Sequence, residues 1–317
     1  MTTKIIFMGT PEFAVPALMA LINAPEYHIV AVVTQPDRPS GRGKKLLPSP
    51  VKEVAQQAGL TILQPQTLKD KAVVAQLAAL QPDVMVIAAF GQILRNDVIS
   101  LPPHGCLNIH ASLLPRWRGA SPITAAIRAG DTETGITLMQ IDEGLDTGAM
   151  IARRAVPIMP THTGDNLTAE LARVGASLLL DTLPAWLAGQ IVPEPQDNSL
   201  ATLAPRLKKE QGELNWTLTA IELERQVRAF NSWPGTFTHS PRGEFKILAV
   251  ELAPQVNPPS TLESGGVFKY QRNVYVVTGQ GVLRLVTVQM PGKNPMSAEA
   301  MLNGHPELVG ARLKQTL

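Results

Sequence analysis

The sequence predicts an α/β domain built on a mostly parallel sheet, followed by a small β-rich domain that reads as a barrel. Three observations carry this expectation. Through the first half, short apolar runs alternate with helix-period segments, the pattern of strands joined by crossover helices. Residues 84–89 form a near-continuous apolar run, as in a strand buried on both faces of a parallel sheet. Beyond residue 208 the apolar runs are short and alternating, and two of them flank Thr278-Gly279-Gln280-Gly281, a hairpin signal. The length agrees, since 317 residues make two domains at roughly 150 residues each.

Residues 5–8 read as the first strand, and Gly9-Thr10-Pro11 as the turn after it. A helix over 13–22 places Phe13, Ala17, Leu18 and Leu21 on one face. A strand over 29–33, a helix over 51–58, a short strand over 61–63 and a helix over 69–80 follow. After the run at 84–89, residues 106–110 and 136–141 are further strands. Residues 163–189 read as one long helix, with Leu167, Leu171, Val174 and Leu178 close to a 3.6 period. Gly189 suits its C-terminal cap, and Pro184 is expected to kink or restart it. Val192-Pro193-Glu194-Pro195-Gln196-Asp197-Asn198 is polar and aperiodic, and reads as a linker running to about residue 208. A helix near 220–230 and hairpin strands over 274–277 and 282–288 mark the last part. The expected boundaries are therefore 1–189, a linker over 190–208, and 209–317.

Composition excludes several classes. With 44% hydrophobic and 17% charged residues, the chain is neither disordered, collagen-like nor a coiled coil. Its one cysteine, Cys106, cannot form an intrachain disulfide. No run approaches the roughly 20 apolar residues of a membrane span, and the apolar start at 4–9 is too short for a signal segment. A cytoplasmic protein is expected. The net charge is only +2, with 17 basic and 17 acidic residues in 1–208 and 11 against 9 thereafter. That balance does not announce a nucleic-acid binder. One stretch departs from it: Arg38, Arg42, Lys44, Lys45 and Lys52 occur with no acid between them.

The first turn, Gly9-Thr10-Pro11-Glu12, stands where a dinucleotide fold carries its glycine fingerprint. G-x-G-x-x-G is absent, so the segment reads as a tight turn and a nicotinamide cofactor is not expected. The chemistry gathers further on. If 106–110 is a strand, Asn108 and His110 lie two apart on one face, able to converge on one small group. An amide and an imidazole suit a developing oxyanion. The plainer reading of His110 is a satisfied core histidine, and Asn108 beside it weighs against that. His104, Cys106 and His110 share parity, but a zinc site wants three or four ligands at short spacings, and no second ligand cluster accompanies them.

Asp142-Glu143-Gly144-Leu145-Asp146-Thr147-Gly148 follows a strand. It is either a solvated acidic loop or the source of a carboxylate that orients the histidine. Asp146 is the candidate, since Gly144 and Gly148 allow the backbone to fold tightly around it. Ser112 has no G-x-S-x-G elbow, and Cys106 reads as a small core residue. The set therefore favours direct transfer over a covalent enzyme intermediate.

These residues carry a resemblance. Asn108-Ile109-His110-Ala111-Ser112-Leu113-Leu114-Pro115, with Asp146 in its Gly144–Gly148 loop, resembles the signature of folate-dependent formyltransferases. Thr34-Gln35-Pro36-Asp37-Arg38-Pro39-Ser40-Gly41-Arg42-Gly43-Lys44-Lys45 resembles a basic insertion loop of the family's tRNA-acting members. Arg116-Trp117-Arg118-Gly119-Ala120-Ser121-Pro122-Ile123 and Arg228-Ala229-Phe230-Asn231-Ser232-Trp233-Pro234-Gly235 resemble that branch as well. The likeness spans both expected domains.

The resemblance implies a Rossmann-like formyltransferase domain and a C-terminal barrel similar to an OB-fold. It implies transfer of a formyl group from 10-formyltetrahydrofolate, without metal, to the α-amino group of methionine on initiator tRNA. On the matching positions, Asn108, His110 and Asp146 are the catalytic triplet. Ser112, Leu113, Leu114 and Pro115 are the tetrahydrofolate-binding stretch. Arg42 matches a tRNA-contacting arginine, and Arg38, Lys44 and Lys45 join it in the loop, although five like charges among glycines also read as a plain solvated loop. A monomer that does not bind membranes is implied. Ser232 departs from the pattern, standing where proline is expected. Two rivals stay open: formylation of a small nucleotide substrate, for which neither the loop nor the second domain is needed, and a non-catalytic RNA-binding protein.

Overall fold

The computed structural model describes residues 2–40 and 45–315, with the backbone alone at Pro39, Ser40 and Lys45. The chain forms two compact units. Met1–Pro122, Glu133–Pro157 and Leu167–Pro205 make the first, and Ile123–Thr132, Ile158–Asn166 and Arg206–Leu317 make the second. The aperiodic stretch after residue 190 thus belongs largely to the first unit, and two short stretches from the middle of the chain group with the second.

The first unit is built on β1 (Thr3–Gly9), α1 (Val15–Ile22), β2 (Tyr27–Val33), the short pair β3 (Arg38–Ser40) and β4 (Lys45–Leu47), and α2 (Pro50–Gln57). β5 (Ile62–Leu63), α3 (Lys71–Ala79), β6 (Val84–Ala88), α4 (Asn96–Ile99) and β7 (Cys106–His110) follow. Helix starts are set locally. Ser49 accepts the Lys52 N–H and Pro50 opens α2, while Asp70 accepts the Ala72 N–H and opens α3. Its sheet runs β5-β2-β1-β6-β7-β8-β9, where β8 is Glu133–Gln140 and β9 is Met150–Pro157. β5, β2, β1, β6 and β7 are parallel, and β8 and β9 are antiparallel additions at one edge. Ile5, Ile6, Phe7 and Met8 are wholly buried, because the central strand is covered on both faces.

Several details differ from the sequence expectation, and two have a plain physical reason. β9 was not anticipated: as an edge strand it buries Met150 and Val156 but exposes Arg153, so no clean period survives. The long helix α6 (Gly164–Leu187) continues through Pro184, which neither ends nor restarts it. Pro184 removes only its own bond to the Leu180 carbonyl, and Ala188 still donates to the Pro184 carbonyl at 3.0 Å, so the helix runs on past it.

The second unit contains most of α5 (Pro122–Ala129), α7 (Ala220–Ala229), β10 (Phe237–Ser240), β11 (Gly243–Leu252), β12 (Val267–Tyr270), β13 (Asn273–Val277), β14 (Val282–Gln289), β15 (Met296–Ser297) and α8 (Ala298–Gly304). Its antiparallel sheet runs β10-β11-β14-β13-β12, with β15 on β14. The expected hairpin is present, Val277 pairing with Val282. Trp216, Leu223, Val227, Phe245, Val276 and Leu285 are among its buried core. Segment 310–314 meets both ends of the sheet. His239 of β10 exchanges backbone bonds with Lys314, and Val267 of β12 does so with Ala311 and Gly310. The result is an antiparallel half-barrel.

The motif around Ser232 holds this unit together. Arg228 donates to the His162 carbonyl at 2.8 Å. Asn231 and Ser232 both donate to the Asp165 carboxylate, at 2.7 and 2.6 Å. The serine that departs from the family pattern thus supplies a charge-assisted hydrogen bond that proline cannot.

Candidate active site

β7 lies between β6 and β8, and its two polar residues stand at and near its C-terminal end. Ile109 points towards α6, where a Cβ on Gly175 would meet it at 2.7 Å. Asn108 and His110 therefore share the opposite face. His110 is 5% exposed, so its ring needs partners.

The chain leaves β7 through a tightly bonded loop. Thr137 of β8 is wholly buried, accepts the Leu114 N–H at 3.0 Å and donates to the Ser112 carbonyl at 2.7 Å. The Ser112 hydroxyl donates to the Arg116 carbonyl. Leu114–Pro115 is a cis peptide, and Trp117 has φ +62°. Of the four residues expected to bind tetrahydrofolate, Ser112 and Leu114 are fully enclosed, Leu114 against Met139 and Met150. Leu113 and Pro115 are half-buried and are the two apolar side chains this stretch leaves accessible.

The acidic loop has a division of roles. Asp142 accepts from the Gly144 N–H and the Thr147 hydroxyl, closing a turn. A Cβ on Gly148 would lie 1.9 Å from the Gln140 carbonyl oxygen, so this position needs glycine. Asp146 has φ +50°, and its carboxylate turns inward. One oxygen accepts from the Asn108 amide at 3.3 Å. The other accepts the Gly119 N–H at 2.8 Å and faces His110 Nδ1 at 3.6 Å. The three residues singled out in the sequence thus converge.

The far side of the imidazole is also engaged. His110 Nε2 lies 3.0 Å from the Trp117 carbonyl oxygen, which only accepts, so this nitrogen carries a proton. When Nδ1 is protonated as well, the ring is an imidazolium beside the Asp146 carboxylate. Asn108 spends one amide N–H on Asp146 and has a second. A developing oxygen can take the Nε2–H only in place of the Trp117 carbonyl.

Cys106 is buried, and burial pushes its thiol up to about 12, which keeps it out of nucleophilic chemistry near neutral pH. Among the described residues, no group of three or more His, Cys, Asp or Glu side chains could hold a metal, and no helix is long and apolar enough to cross a membrane.

The basic loop is only partly on view. Arg38 is exposed and donates to the Gln35 amide oxygen at 3.1 Å. Arg42 and Lys44 lie outside the described residues, and Lys45 begins β4. Lys52 ends the acid-free stretch, but its ammonium is held by Asp37 at 2.6 Å, just upstream of that stretch. Lys52, and then Gln64, hold the Asp37 carboxyl below the usual aspartate range.

Sequence reasoning missed Arg118, Gln196 and Asn198 as contributors to this site. Arg118 is 6% exposed and donates to the side-chain oxygens of Gln196 and Asn198. The last two come from the stretch read as a linker, and no local periodicity marks them.

Known proteins complete the picture. The family model described as Formyl transferase matches residues 3–183, and that described as Formyl transferase, C-terminal domain, matches residues 206–306. The chain belongs to the formyl transferase family. The methionyl-tRNA formyltransferase of Marinobacter nauticus is 47% identical to it over 307 residues, which cover 96% of this chain and 97% of the relative. Two solved structures share the fold. The N-formyltransferase of Helicobacter canadensis, in complex with folinic acid and dTDP-3-aminofucose, has a TM-score of 0.65 at 19% identity, over 90% of this chain and 98% of its own. The methionyl-tRNA formyltransferase from Clostridium thermocellum has a TM-score of 0.55 at 19% identity, over 79% and 94%.

Proposed function

We propose that this protein transfers the formyl group of 10-formyltetrahydrofolate to the α-amino group of methionyl-initiator tRNA, for translation initiation. The observation that carries the reading is the convergence of Asn108, His110 and Asp146 at the end of β7. Full-length similarity to the Marinobacter nauticus enzyme supports the choice of substrate.

The donor set suits a formyl group. Bound 10-formyltetrahydrofolate supplies a carbonyl carbon open to a neutral amine. Leu113 and Pro115 offer it apolar contact beside the cluster. The second N–H of Asn108 donates to the formyl oxygen as negative charge builds there, and each such donor lowers the barrier by about 2.7–4 kcal/mol. His110 adds positive charge and, on exchange from the Trp117 carbonyl, its Nε2–H. Asp146 sustains the imidazolium and keeps the ring oriented, and it helps pass the proton lost by the amine to N10 of the departing tetrahydrofolate as the C–N10 bond breaks.

The first unit, including the stretch from residue 190 to 205, carries this chemistry, and the second, built mainly on 206–317, holds RNA together with Arg38, Arg42, Lys44 and Lys45. Those loop charges act on acceptor-end phosphates, so the binding weakens with salt. The protein works as a cytoplasmic monomer. The decisive assay supplies 10-formyltetrahydrofolate with methionyl-initiator tRNA, methionyl-elongator tRNA and an amino sugar nucleotide in parallel. Formylation confined to the sugar, or absent from all three, overturns the reading.

A further inference from the structure

The segment 194–204 is threaded through the site rather than passing it by. Met150 and Glu194 exchange backbone hydrogen bonds, both 2.8 Å, so the segment starts on the edge of β9. Arg118 then donates its N–H to the Thr202 carbonyl and accepts from Ala204, each at 2.8 Å. Trp117 donates its N–H to the Thr202 hydroxyl at 2.9 Å. The stretch thereby pairs with the very loop whose Trp117 carbonyl and Gly119 N–H touch His110 and Asp146.

Gln196 stands at the centre. Its two amide N–H groups donate to the backbone carbonyls of Asp146 at 2.9 Å and Gly148 at 2.7 Å. Its oxygen accepts from Arg118 Nε at 3.0 Å and Nη2 at 2.8 Å. Every hydrogen-bonding group of that amide has a partner, which fixes which end points where. Arg118 also reaches Asn198 at 2.8 Å. A buried guanidinium set against neutral oxygens is a poor source of stability, since desolvation is not repaid by an opposite charge. Asp146 is a non-glycine residue in the left-handed region, a conformation that persists only where the surroundings over-determine it.

We infer that Gln196 and Arg118 are positioning residues for the catalytic carboxylate: Arg118 locks the Gln196 amide, and Gln196 pins the Asp146 backbone so that its carboxylate stays on Asn108 and His110. The chemistry this serves rests on the formyl-transfer reading, but the positioning itself can be read without turnover. Gln196→Glu keeps an acceptor for Arg118 and removes both donors to the loop. Gln196→Ala and Arg118→Ala, singly and together, complete a cycle.

The first measurement is the ring 15N resonances of His110 in the free protein, with Asp146→Asn as the comparator. Gln196→Glu should displace them in the same direction as Asp146→Asn. Unchanged resonances overturn the inference. The second is kinetic, on variants first checked for cooperative thermal unfolding. Each single change should lower kcat by about 10-fold or more with KM for tRNA within about twofold, and the double variant should be no more than about 3-fold worse than the weaker single, as for residues acting as a unit. A Gln196→Glu enzyme with more than half of wild-type kcat overturns the inference too. Should Gln196→Ala not fold, the near-isosteric Gln196→Glu carries both measurements. Should the wild-type protein not formylate tRNA, the proposed function fails while the resonances still decide the positioning role.

Discussion

Asp146 and His110 stand 3.6 Å apart, Oδ2 to Nδ1, near enough for an ion pair and longer than a hydrogen bond. The same carboxylate oxygen is held at 2.8 Å by the Gly119 N–H. The acid is therefore anchored by backbone, and the buried histidine faces it while its Nε2 is held by the Trp117 carbonyl.

Removing either donor at the cluster should slow chemistry and spare RNA binding. Asn108→Ala or His110→Ala is expected to lower kcat by roughly 100-fold or more, from the typical cost of one lost oxyanion donor. Steady-state kinetics on initiator tRNA, with a filter-binding Kd alongside, tests this. A His110→Ala enzyme keeping more than a tenth of wild-type turnover would remove the residue from its role.

Gly119 is held by its surroundings in two ways. Its φ is +116°, and a Cβ there would lie 2.7 Å from the Ala204 carbonyl oxygen. Gly119→Ala should destabilise the fold by about 1–3 kcal/mol, the usual cost of strain at such a backbone position. It should also displace the N–H that holds Asp146. Urea unfolding and kcat measured together check this, and a variant with wild-type values of both contradicts it.

The loop charges should matter for RNA alone. Arg42→Ala is expected to raise KM for tRNA, and to make binding less sensitive to salt by about one phosphate contact. Measuring kcat/KM at several salt concentrations decides the matter, and an unchanged kcat/KM on tRNA excludes the contact.

Lys52 should behave differently from the loop cations, because it is spent on Asp37. In the folded protein the Asp37 carboxyl titrates below its ordinary value, chiefly through the hydrogen bond from Lys52. A group depressed in this way adds stability above its unfolded pKa and loses it as pH falls through the folded one. Carboxyl 13C titration should therefore find Asp37 below the ordinary aspartate value, and Lys52→Ala should move it upward. A midpoint that does not respond to Lys52→Ala would show that the pair is not formed.

Much of this site could be read from the chain because its signals are local. Asn108 and His110 are two polar residues on one face of an otherwise apolar strand, which strand periodicity exposes directly. Asp146 is flanked by glycines that the tight loop requires. Gln196 escaped notice, and Arg118 was read only as part of the Arg116–Ile123 stretch, because the bonds that join them link positions 78 apart. β9 escaped because an edge strand carrying Arg153 and Arg154 has no uniform apolar face. Pro184 does not restart the helix, because it removes only its own bond to the Leu180 carbonyl and the neighbouring bonds carry α6 on to Leu187. The charge count misled in a smaller way: Lys52 belongs to the acid-free run in sequence and to Asp37 in space.

The stretch 310–314 covers two strand ends at once, pairing with His239 on one side and with Gly265 and Val267 on the other. One displaced segment would bare both β10 and β12, and bare edges recruit strands from other molecules. Self-association is therefore the first hazard of disturbing this stretch. It would be visible as light scattering that rises with concentration, before any change in the rate of the molecules still dispersed.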